Sequence, residues 1–456
     1  MNQKAPNAPT RRQVLFGAGA TAAAVAVGGG MIAFERSDDR RSESGREQQV
    51  HPPRSAPQLP SDTKRSLQSL SGGANVMGCS VAAVTRDQIV FADAWGQARP
   101  GKAMTIDSTI NIGSGSKTVT AAAILQLVDS GRIELTADVN ELLQNSQVYG
   151  PHSVRSPHFP DAPITIEHIL THLTPLTNGR DMGPYSLKFQ RGPAPEPGEL
   201  GRWLHDFLSP PPNGWMYSAQ DNFTTAAPGT AHRYSDMAFN LAGHIVHAVT
   251  GKYFADYCRE SILRPAGMVR SDFEWDHVPE EHRAHPHALF SDGVKRGMWP
   301  NNNHLAMTPI PDDYTGQVEY APYSTSMTPA GGLRTNALDL GNWLRVWLGG
   351  GVIDGKRILS DRLAFAALSE QVPMSILAAS TAPLPIVGQG YSWMRVQGDA
   401  PGVWQHAGSE TGTASYIMLD TARGVGAAVI MNSEVMVDSD PRGAMLQELL
   451  DSASRA

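Results

Sequence analysis

Several patterns that mark familiar functional classes are missing from this 456-residue chain. It has only two cysteines, Cys79 and Cys258, which are too few for a disulfide framework, so we expect two isolated buried thiols. No GxSxG segment occurs, so an α/β-hydrolase nucleophile has no candidate. The net charge is −7, which argues against nucleic acid as a partner.

A zinc-hydrolase pattern is also missing, although the chain contains 15 histidines. His168 and His172 are four residues apart in a helix-like segment, but Glu167 precedes the first of them, so the HExxH order is absent. A second group lies in or next to the proline- and charge-rich residues 274–286 and comprises His277, His282, His285 and His287. Such a stretch is typical of a solvated loop, and we predict neither a metal site nor a cofactor.

What the chain does contain is a serine followed, one helical turn later, by a lysine. Ser114 and Lys117 precede apolar residues that recur at i, i+3, i+4 and i+7, a pattern that predicts a helix ending near Gly131. Residues i and i+3 share a helix face, so this lysine is in position to take the proton of the weakly nucleophilic serine hydroxyl. The start of a helix also stabilises a developing oxyanion.

A second SxxK sequence, Ser61 with Lys64, lacks comparable surroundings. It follows the proline-rich residues 51–60, and no strand-like pattern precedes it. Ser114 instead follows two strand-like runs, residues 76–84 and 88–95, joined by a short turn. Because a catalytic group needs rigid support, we assign the nucleophile to Ser114.

Two later segments supply further candidate groups. A YSD segment begins at Tyr234, just before a second amphipathic helix pattern that ends at Gly251, and the tyrosine is a candidate proton relay. An HAGS segment begins at His406 and precedes a strand-like run at residues 414–420, so it is predicted to lie along a sheet edge.

In this order the SxxK, YxD and HxG motifs resemble those of the serine β-lactamase and penicillin-binding protein superfamily, in particular its class C-like branch of esterases and D-amino-acid peptidases. Flanking segments agree with this resemblance from about Val76 to about Asn432: ITIEHILTH from Ile164, PGT from Pro228, RPAGM from Arg264 and TPAGGL from Thr328. The resemblance implies an α/β (α+β) fold, in which an antiparallel sheet built from both ends of the chain is flanked by helices and carries a helical lobe.

The same resemblance implies how the site works. Ser114 would attack a carbonyl carbon, and Lys117 would take the proton in a neutral form favoured by desolvation. Tyr234 would relay the proton to the leaving group, and His406 would line the opposite wall. The backbone N–H groups of Ser114 and Ser409 would form the oxyanion hole.

The substrate side of the site departs from the family pattern. Asp236 stands where the family commonly has Asn; an ionised Asp only accepts hydrogen bonds, and it either steadies Lys117 or binds a substrate amine. His406, two residues before Gly408 of the HxG motif, stands where typical β-lactamases have Lys, and no KTG occurs. A permanent cation for a substrate carboxylate is thereby lost, and any β-lactam hydrolysis should rise as the pH falls through about 6.5.

We therefore expect a serine hydrolase that acts on a carboxylic ester or a small D-amino-acid peptide. A β-lactamase or a D-alanyl-D-alanine carboxypeptidase is the alternative. A third hypothesis is an inactive member that binds peptidoglycan or peptide. Residues 178–227, rich in Gly, Pro and Asn, are expected to border the cleft and set substrate choice.

The N-terminus resembles a twin-arginine export signal, because Arg11 and Arg12 precede an apolar Ala/Gly-rich stretch. Residues 1–34 are expected to be this signal or, if they are retained, a membrane anchor, which predicts a periplasmic or extracellular enzyme. Residues 35–70 are predicted to be a disordered linker, and residues 71–456 to be the hydrolase domain.

Overall fold

The computed structural model describes residues 54–180, 189–192, 196–296, 302–382 and 385–456. Its strands in chain order are β1 Gly78–Thr85, β2 Ile89–Arg99, β3 Lys102–Ala103, β4 Ile110–Asn111, β5 Gln190–Arg191, β6 His287–Ser291, β7 Val294–Lys295, β8 Gly316–Glu319, β9 Tyr323–Ser324, β10 Arg334–Thr335, β11 Val352–Ile353, β12 Lys356–Arg357, β13 Ile386–Gln389, β14 Met394–Val396, β15 Val403–Glu410, β16 Thr413–Asp420 and β17 Val425–Met431. Its α-helices are α1 Ser61–Gly73, α2 Lys117–Asp129, α3 Val139–Gln144, α4 Ile166–Leu170, α5 Glu199–Leu208, α6 Asp236–Thr250, α7 Phe254–Cys258, α8 Thr328–Gly331, α9 Ala337–Leu348, α10 Asp361–Ala367, α11 Met374–Leu377 and α12 Arg442–Ala453.

The largest sheet has eight strands, is antiparallel and joins the two ends of the described chain. Its order is β13-β14-β15-β16-β17-β1-β2-β3. The junction is the pairing of β1 with β17, in which Cys79 lies opposite Met431 and Thr85 opposite Val425. The three strand-like runs of the sequence are β1, β2 and β16, so the predicted sheet from both chain ends is confirmed.

Strand β1 is buried on both faces, because helices cover the sheet on each side. Val81 and Ala83 pack in the apolar cluster that contains Leu446 of α12. Val84 belongs instead to the cluster that contains Trp343 of α9. Alternate residues of a strand point to opposite faces, so the small and branched side chains of β1 pack against a helical layer on each side of the sheet.

The helical lobe is built around α6, which contacts α2, α3, α4, α5, α7 and α8. Helix α2 is buried around almost its whole circumference, as expected of a helix that is apolar on all sides. It ends at Asp129, and Gly131 follows with a φ of 67°, the left-handed conformation that commonly ends a helix. The hydroxyl of Ser235 caps α6 by accepting the N–H of Ala238. Both predicted helices are therefore confirmed.

The linker predicted for residues 35–70 is wrong from Arg54 onward. Arg54 pairs with Asp107 and Asp339, and α1 buries Leu67 completely in the cluster shared with α12. Helix α1 has few apolar residues, so its own sequence does not indicate a packed element; its stabilisation comes from the distant C-terminal helix.

Residues 1–53, including the predicted export signal, lie outside the described residues. Among the described residues, none of the helices combines the length and apolar character needed to cross a membrane. Cys79 and Cys258 are free and buried, as predicted, and burial raises the pKa of both thiols.

Candidate active site

Ser114 lies on a short 3-10 turn, Gly113–Ser116, that leads directly into α2. The turn is held from both sides. The side-chain oxygen of Asn111 accepts the Gly113 N–H at 2.6 Å, and the hydroxyl of Ser116 accepts the N–H of Leu333 at 2.9 Å. Ser114 itself is partly exposed, so a rigid turn presents its hydroxyl at the surface.

Lys117, the first residue of α2, is completely buried and has three oxygen partners. Its Nζ lies 2.9 Å from the Ser114 Oγ, 2.6 Å from an Asp236 carboxylate oxygen and 2.6 Å from the carbonyl oxygen of Ala330. An ammonium group has three N–H donors, so these three acceptors match it fully.

The charge of Lys117 differs from the expectation. Burial alone would lower its pKa, but the Asp236 carboxylate and, to a smaller extent, the hydroxyl of Tyr234 outweigh that effect, so the pKa is raised. Desolvation therefore does not by itself set the charge of Lys117 in the resting site, because the carboxylate lies closer than the sequence could reveal. The resting site contains an ammonium–carboxylate pair.

Asp236 is held by a residue whose role the sequence analysis missed. One carboxylate oxygen faces Lys117, and the other accepts a hydrogen bond from the Asn178 side-chain amide at 3.0 Å. The Asn178 oxygen in turn accepts the backbone N–H of Asp236 at 2.8 Å and that of Met237 at 3.3 Å. Because both carboxylate oxygens are engaged inside the protein, the arrangement favours steadying Lys117 over binding a substrate amine.

Tyr234 lies beside Lys117. The Lys117 Nζ lies 5.0 Å from the Tyr234 ring centroid, and the Tyr234 hydroxyl interacts electrostatically with Lys117 and Ser114. Burial raises the pKa of Tyr234 despite the nearby cation, so the phenol is protonated in the resting site. A protonated phenol next to Lys117 and Ser114 is a group that can pass a proton between them.

Two neutral histidines flank this tyrosine. His406 lies with its ring centroid 6.2 Å from that of Tyr234, and burial and the charge of Lys117 lower its pKa to about 3. Its Nδ1 donates to the Ala407 carbonyl oxygen at 2.9 Å, which leaves its buried Nε2 without a hydrogen-bond partner among the described residues.

His172 stacks on the other side, with ring centroids 4.4 Å apart and an interplanar angle of 29° to Tyr234. Burial holds the pKa of His172 well below its usual range, and its Nδ1 accepts the Ser235 N–H at 3.2 Å. Its φ of 57° is unusual for a residue with a side chain. From the sequence, His172 was considered only as a metal ligand, although its place at the end of the ITIEHILTH segment was the available signal.

The HxG segment lies along an edge of β15 that has no strand partner, as predicted. Strand β14 pairs with β15 only at Gln405, so the edge beyond that residue faces the Gly113–Ser116 turn. The approach is close: a Cβ added to Gly408 would lie 1.9 Å from the Ile112 carbonyl oxygen, and one added to Gly113 would lie 2.8 Å from the Ser409 nitrogen. Only glycine fits at these two positions, and their contact brings Ser409 next to the turn.

A second cation near this edge, Arg442, already has partners within the protein. Arg442, the first residue of α12, donates to the carbonyl oxygens of Gly408 and Ser415 at 2.6 and 2.5 Å. It also pairs with Asp440 at 2.6 Å. The guanidinium therefore supports the strand from inside the protein rather than facing the cleft.

One group of described side chains, Asp272, Glu274 and His277, has the spacing of metal ligands. Arg259 donates to both carboxylates and lies 2.6 Å from the His277 Nδ1. A positive charge already stands where a metal ion would bind, so this is a structural charge network.

The sequence model of the family described as Beta-lactamase matches residues 64–451. D-alanyl-D-alanine-carboxypeptidase/endopeptidase AmpH of Escherichia coli K12 is 23% identical over 387 residues, which cover 83% of this chain and 86% of that protein. Esterase EstB of Burkholderia gladioli is 27% identical over 268 residues, covering 56% of this chain and 60% of the esterase.

Among solved structures, D-amino acid amidase from Ochrobactrum anthropi SV3 in complex with D-phenylalanine superposes with a TM-score of 0.64 at 18% identity. The superposition covers 87% of this chain and 100% of the amidase, so the fold is shared. Together with the family match over most of its length, this shows that the chain belongs to the Beta-lactamase family.

Proposed function

We propose that the protein is a serine hydrolase that forms an acyl-enzyme on Ser114 and acts on carboxylic esters or small amides and peptides. The observation that carries the proposal is the contact of 2.9 Å between the Ser114 Oγ and the Lys117 Nζ, made inside a buried pair with Asp236. A serine hydroxyl needs an adjacent base to become a nucleophile, and this contact supplies the candidate.

The reaction would proceed in two halves. In the first, the Ser114 Oγ bonds to the substrate carbonyl carbon and its proton passes to neutral Lys117. The bond to the leaving group breaks, and that group takes a proton through Tyr234. In the second, a water molecule bonds to the acyl carbon, its proton returns to the Ser114 oxygen, and the acid is released.

The raised pKa of Lys117 gives this chemistry a pH dependence, because an ammonium group has no lone pair to accept a proton. Only molecules with neutral Lys117 would acylate, so kcat/KM is expected to rise with pH by about tenfold per unit below that pKa. The negative oxygen of the tetrahedral intermediate would bind the backbone N–H groups of Ser114 and Ser409, next to the start of α2.

The charges around the cleft support a substrate without a carboxylate near the reacting bond. His406 is neutral with a pKa of about 3, and Lys117 and Arg442 are bound to carboxylates of the protein. None of these described groups offers a free positive charge to a substrate carboxylate. We therefore rank neutral esters and amides first, peptides ending in D-alanyl-D-alanine second and penicillins third.

The names of the similar proteins support the same range, since they include an esterase, a D-amino acid amidase and a carboxypeptidase. The alternative of an inactive peptide-binding member is disfavoured by the hydrogen bond between Ser114 and Lys117, which a purely binding protein does not need.

The test is hydrolysis of p-nitrophenyl esters, D-amino-acid anilides and nitrocefin by the full chain, with Ser114→Ala as the control. We expect turnover of esters and anilides by the wild type, and labelling of Ser114 by a fluorophosphonate. A wild-type protein that binds peptide but neither labels nor turns over any substrate would support the inactive alternative instead.

We also propose that the protein is exported by the twin-arginine route and works in the periplasm or outside the cell, on the strength of Arg11 and Arg12 ahead of the apolar stretch. Replacing both arginines with lysine should retain the protein in the cytoplasmic fraction. Unchanged fractionation of that variant would exclude the route.

A further inference from the structure

A single line of hydrogen bonds runs from a loop residue to the nucleophile. The Asn178 amide nitrogen donates to Asp236 at 3.0 Å, the other Asp236 oxygen lies 2.6 Å from the Lys117 Nζ, and that nitrogen lies 2.9 Å from the Ser114 Oγ. Asn178 has no direct contact with Ser114 in this line, so any effect it has on the chemistry passes through the charge pair.

Asn178 uses both ends of its amide. Its oxygen accepts the N–H groups of Asp236 and Met237, the first two residues of α6, which have no partner within the helix. Its nitrogen ties one oxygen of the Asp236 carboxylate. With the backbone and one oxygen fixed, the other oxygen is directed at Lys117.

The charge of Lys117 depends on that carboxylate more than on any other described neighbour. The titratable groups that interact with it are Asp236, Tyr234, His172 and His406. Both histidines are kept neutral by burial, and the phenol of Tyr234 is protonated. Asp236 is therefore the anion that balances the buried ammonium.

We propose that Asn178 is a positioning residue that holds the Asp236 carboxylate against Lys117, and that the Asn178–Asp236 unit thereby sets the pH at which Ser114 is acylated. The proposal rests on the proposed function, because it assumes that Ser114 is the nucleophile and Lys117 its base. Loss of Asn178 lets the carboxylate turn away, and the buried lysine then loses its proton at a lower pH.

The experiment measures the second-order rate of fluorophosphonate labelling of Ser114 between pH 5 and pH 10 in the full chain. The variants are Asn178→Ala, Asp236→Asn and the double variant. We expect Asp236→Asn to move the acid limb of the profile to lower pH by about one unit or more, the usual effect of removing an opposite charge next to an ionisable group. Asn178→Ala should move the limb in the same direction by a smaller amount, because the carboxylate is loosened rather than removed. The double variant should match Asp236→Asn, because Asn178 has no carboxylate left to position.

A matched control separates positioning from stability. Asn140, which is buried where Asn178 is partly exposed, likewise uses both ends of its amide, on the N–H and carbonyl of Val154. Asn140→Ala should lower the melting temperature and leave the pH profile unmoved. If Asn178→Ala does not fold, Asn178→Ser retains an oxygen near the start of α6 but has no amide nitrogen, and the same shift is expected.

Two results would overturn the inference: a folded Asn178 variant with the wild-type acid limb, or a shift by Asn178→Ala that persists in the Asp236→Asn background. Both leave the proposed function intact, since Ser114 is still labelled. Labelling that survives in Ser114→Ala would instead remove the proposed function itself.

Discussion

Two serine–lysine pairs with the same spacing begin helices in this molecule, and their surroundings differ. In α1, Ser61 is exposed, and the Nζ of Lys64 lies 2.8 Å from Asp93 with 32% of the lysine side chain still exposed. At the start of α2, the Lys117 side chain is 0% exposed, and its Nζ contacts both Asp236 and the Ser114 hydroxyl. Both lysines therefore have an aspartate partner, so an ion pair alone does not mark a catalytic site. Complete burial and the contact with the serine distinguish the second pair.

The largest effect that would test this comparison comes from the serines. Ser114→Ala should remove fluorophosphonate labelling and lower ester turnover by about 10³-fold or more, because loss of a nucleophile usually removes several powers of ten. Ser61→Ala should retain wild-type rates. The measurement is kcat/KM with p-nitrophenyl butyrate. A dead Ser61 variant, or a Ser114 variant with more than about a hundredth of the wild-type rate, would reverse the assignment.

The second effect concerns the proton path. Lys117→Ala and Tyr234→Phe should each lower turnover by about 10²-fold or more, the usual size of a lost general acid–base contribution. The two side chains interact with each other and with Ser114, so the double variant should be much less than multiplicatively worse. Strictly multiplicative losses would mean that Tyr234 only lines the wall.

The third effect concerns the charge next to the site. His406→Lys should narrow the preference for p-nitrophenyl butyrate over nitrocefin by about ten- to a hundredfold, because a charge-assisted contact with a carboxylate is worth roughly 1.5–3 kcal/mol. With a pKa of about 3, His406 stays neutral at working pH, which corrects the expectation that β-lactam hydrolysis rises through the ordinary histidine range. An unchanged ratio of the two kcat/KM values would mean that the loops around the cleft, rather than His406, determine substrate preference.

The sequence predicted the elements that depend on local pattern. Residues close together in the sequence were enough to predict the apolar period of α2, the strand pairs and the glycine at position 408. Of the partners of Lys117, Ser114 can be identified in the same way, but Asp236 is 119 positions away and reaches the lysine only through packing, so the sequence left its role open between two alternatives. Asn178 and His172 were missed for the same reason, because each contacts a residue far away in the sequence. Asn178 and Asp236 are 58 positions apart, and His172 and Ser235 are 63 positions apart.

Helix α1 was missed for a related physical reason. Its composition is that of a tether, and a short helix with few apolar residues is marginal on its own. Packing of Leu67 against the C-terminal helix supplies what the local sequence lacks. The sequence also could not give the charge of Lys117, since burial and a carboxylate act in opposite directions and only the distance decides which prevails.

The smallest expected effect concerns Lys64, the lysine of the Ser61–Lys64 pair in α1. Lys64→Ala removes a partly exposed ion pair, and pairs of this kind contribute up to about 1 kcal/mol, so the unfolding free energy should fall by about that amount. The cost lies near the top of that range because Asp93 keeps only 6% side-chain exposure and accepts the Ala94 N–H with the same oxygen. Ester turnover should stay within about threefold of the wild type, because this ion pair with Asp93 stabilises the fold and involves none of the groups around Ser114. Urea unfolding and kcat/KM measured on the same preparation give both numbers. A loss of turnover comparable with that of Lys117→Ala would mean that burial does not distinguish the two lysines.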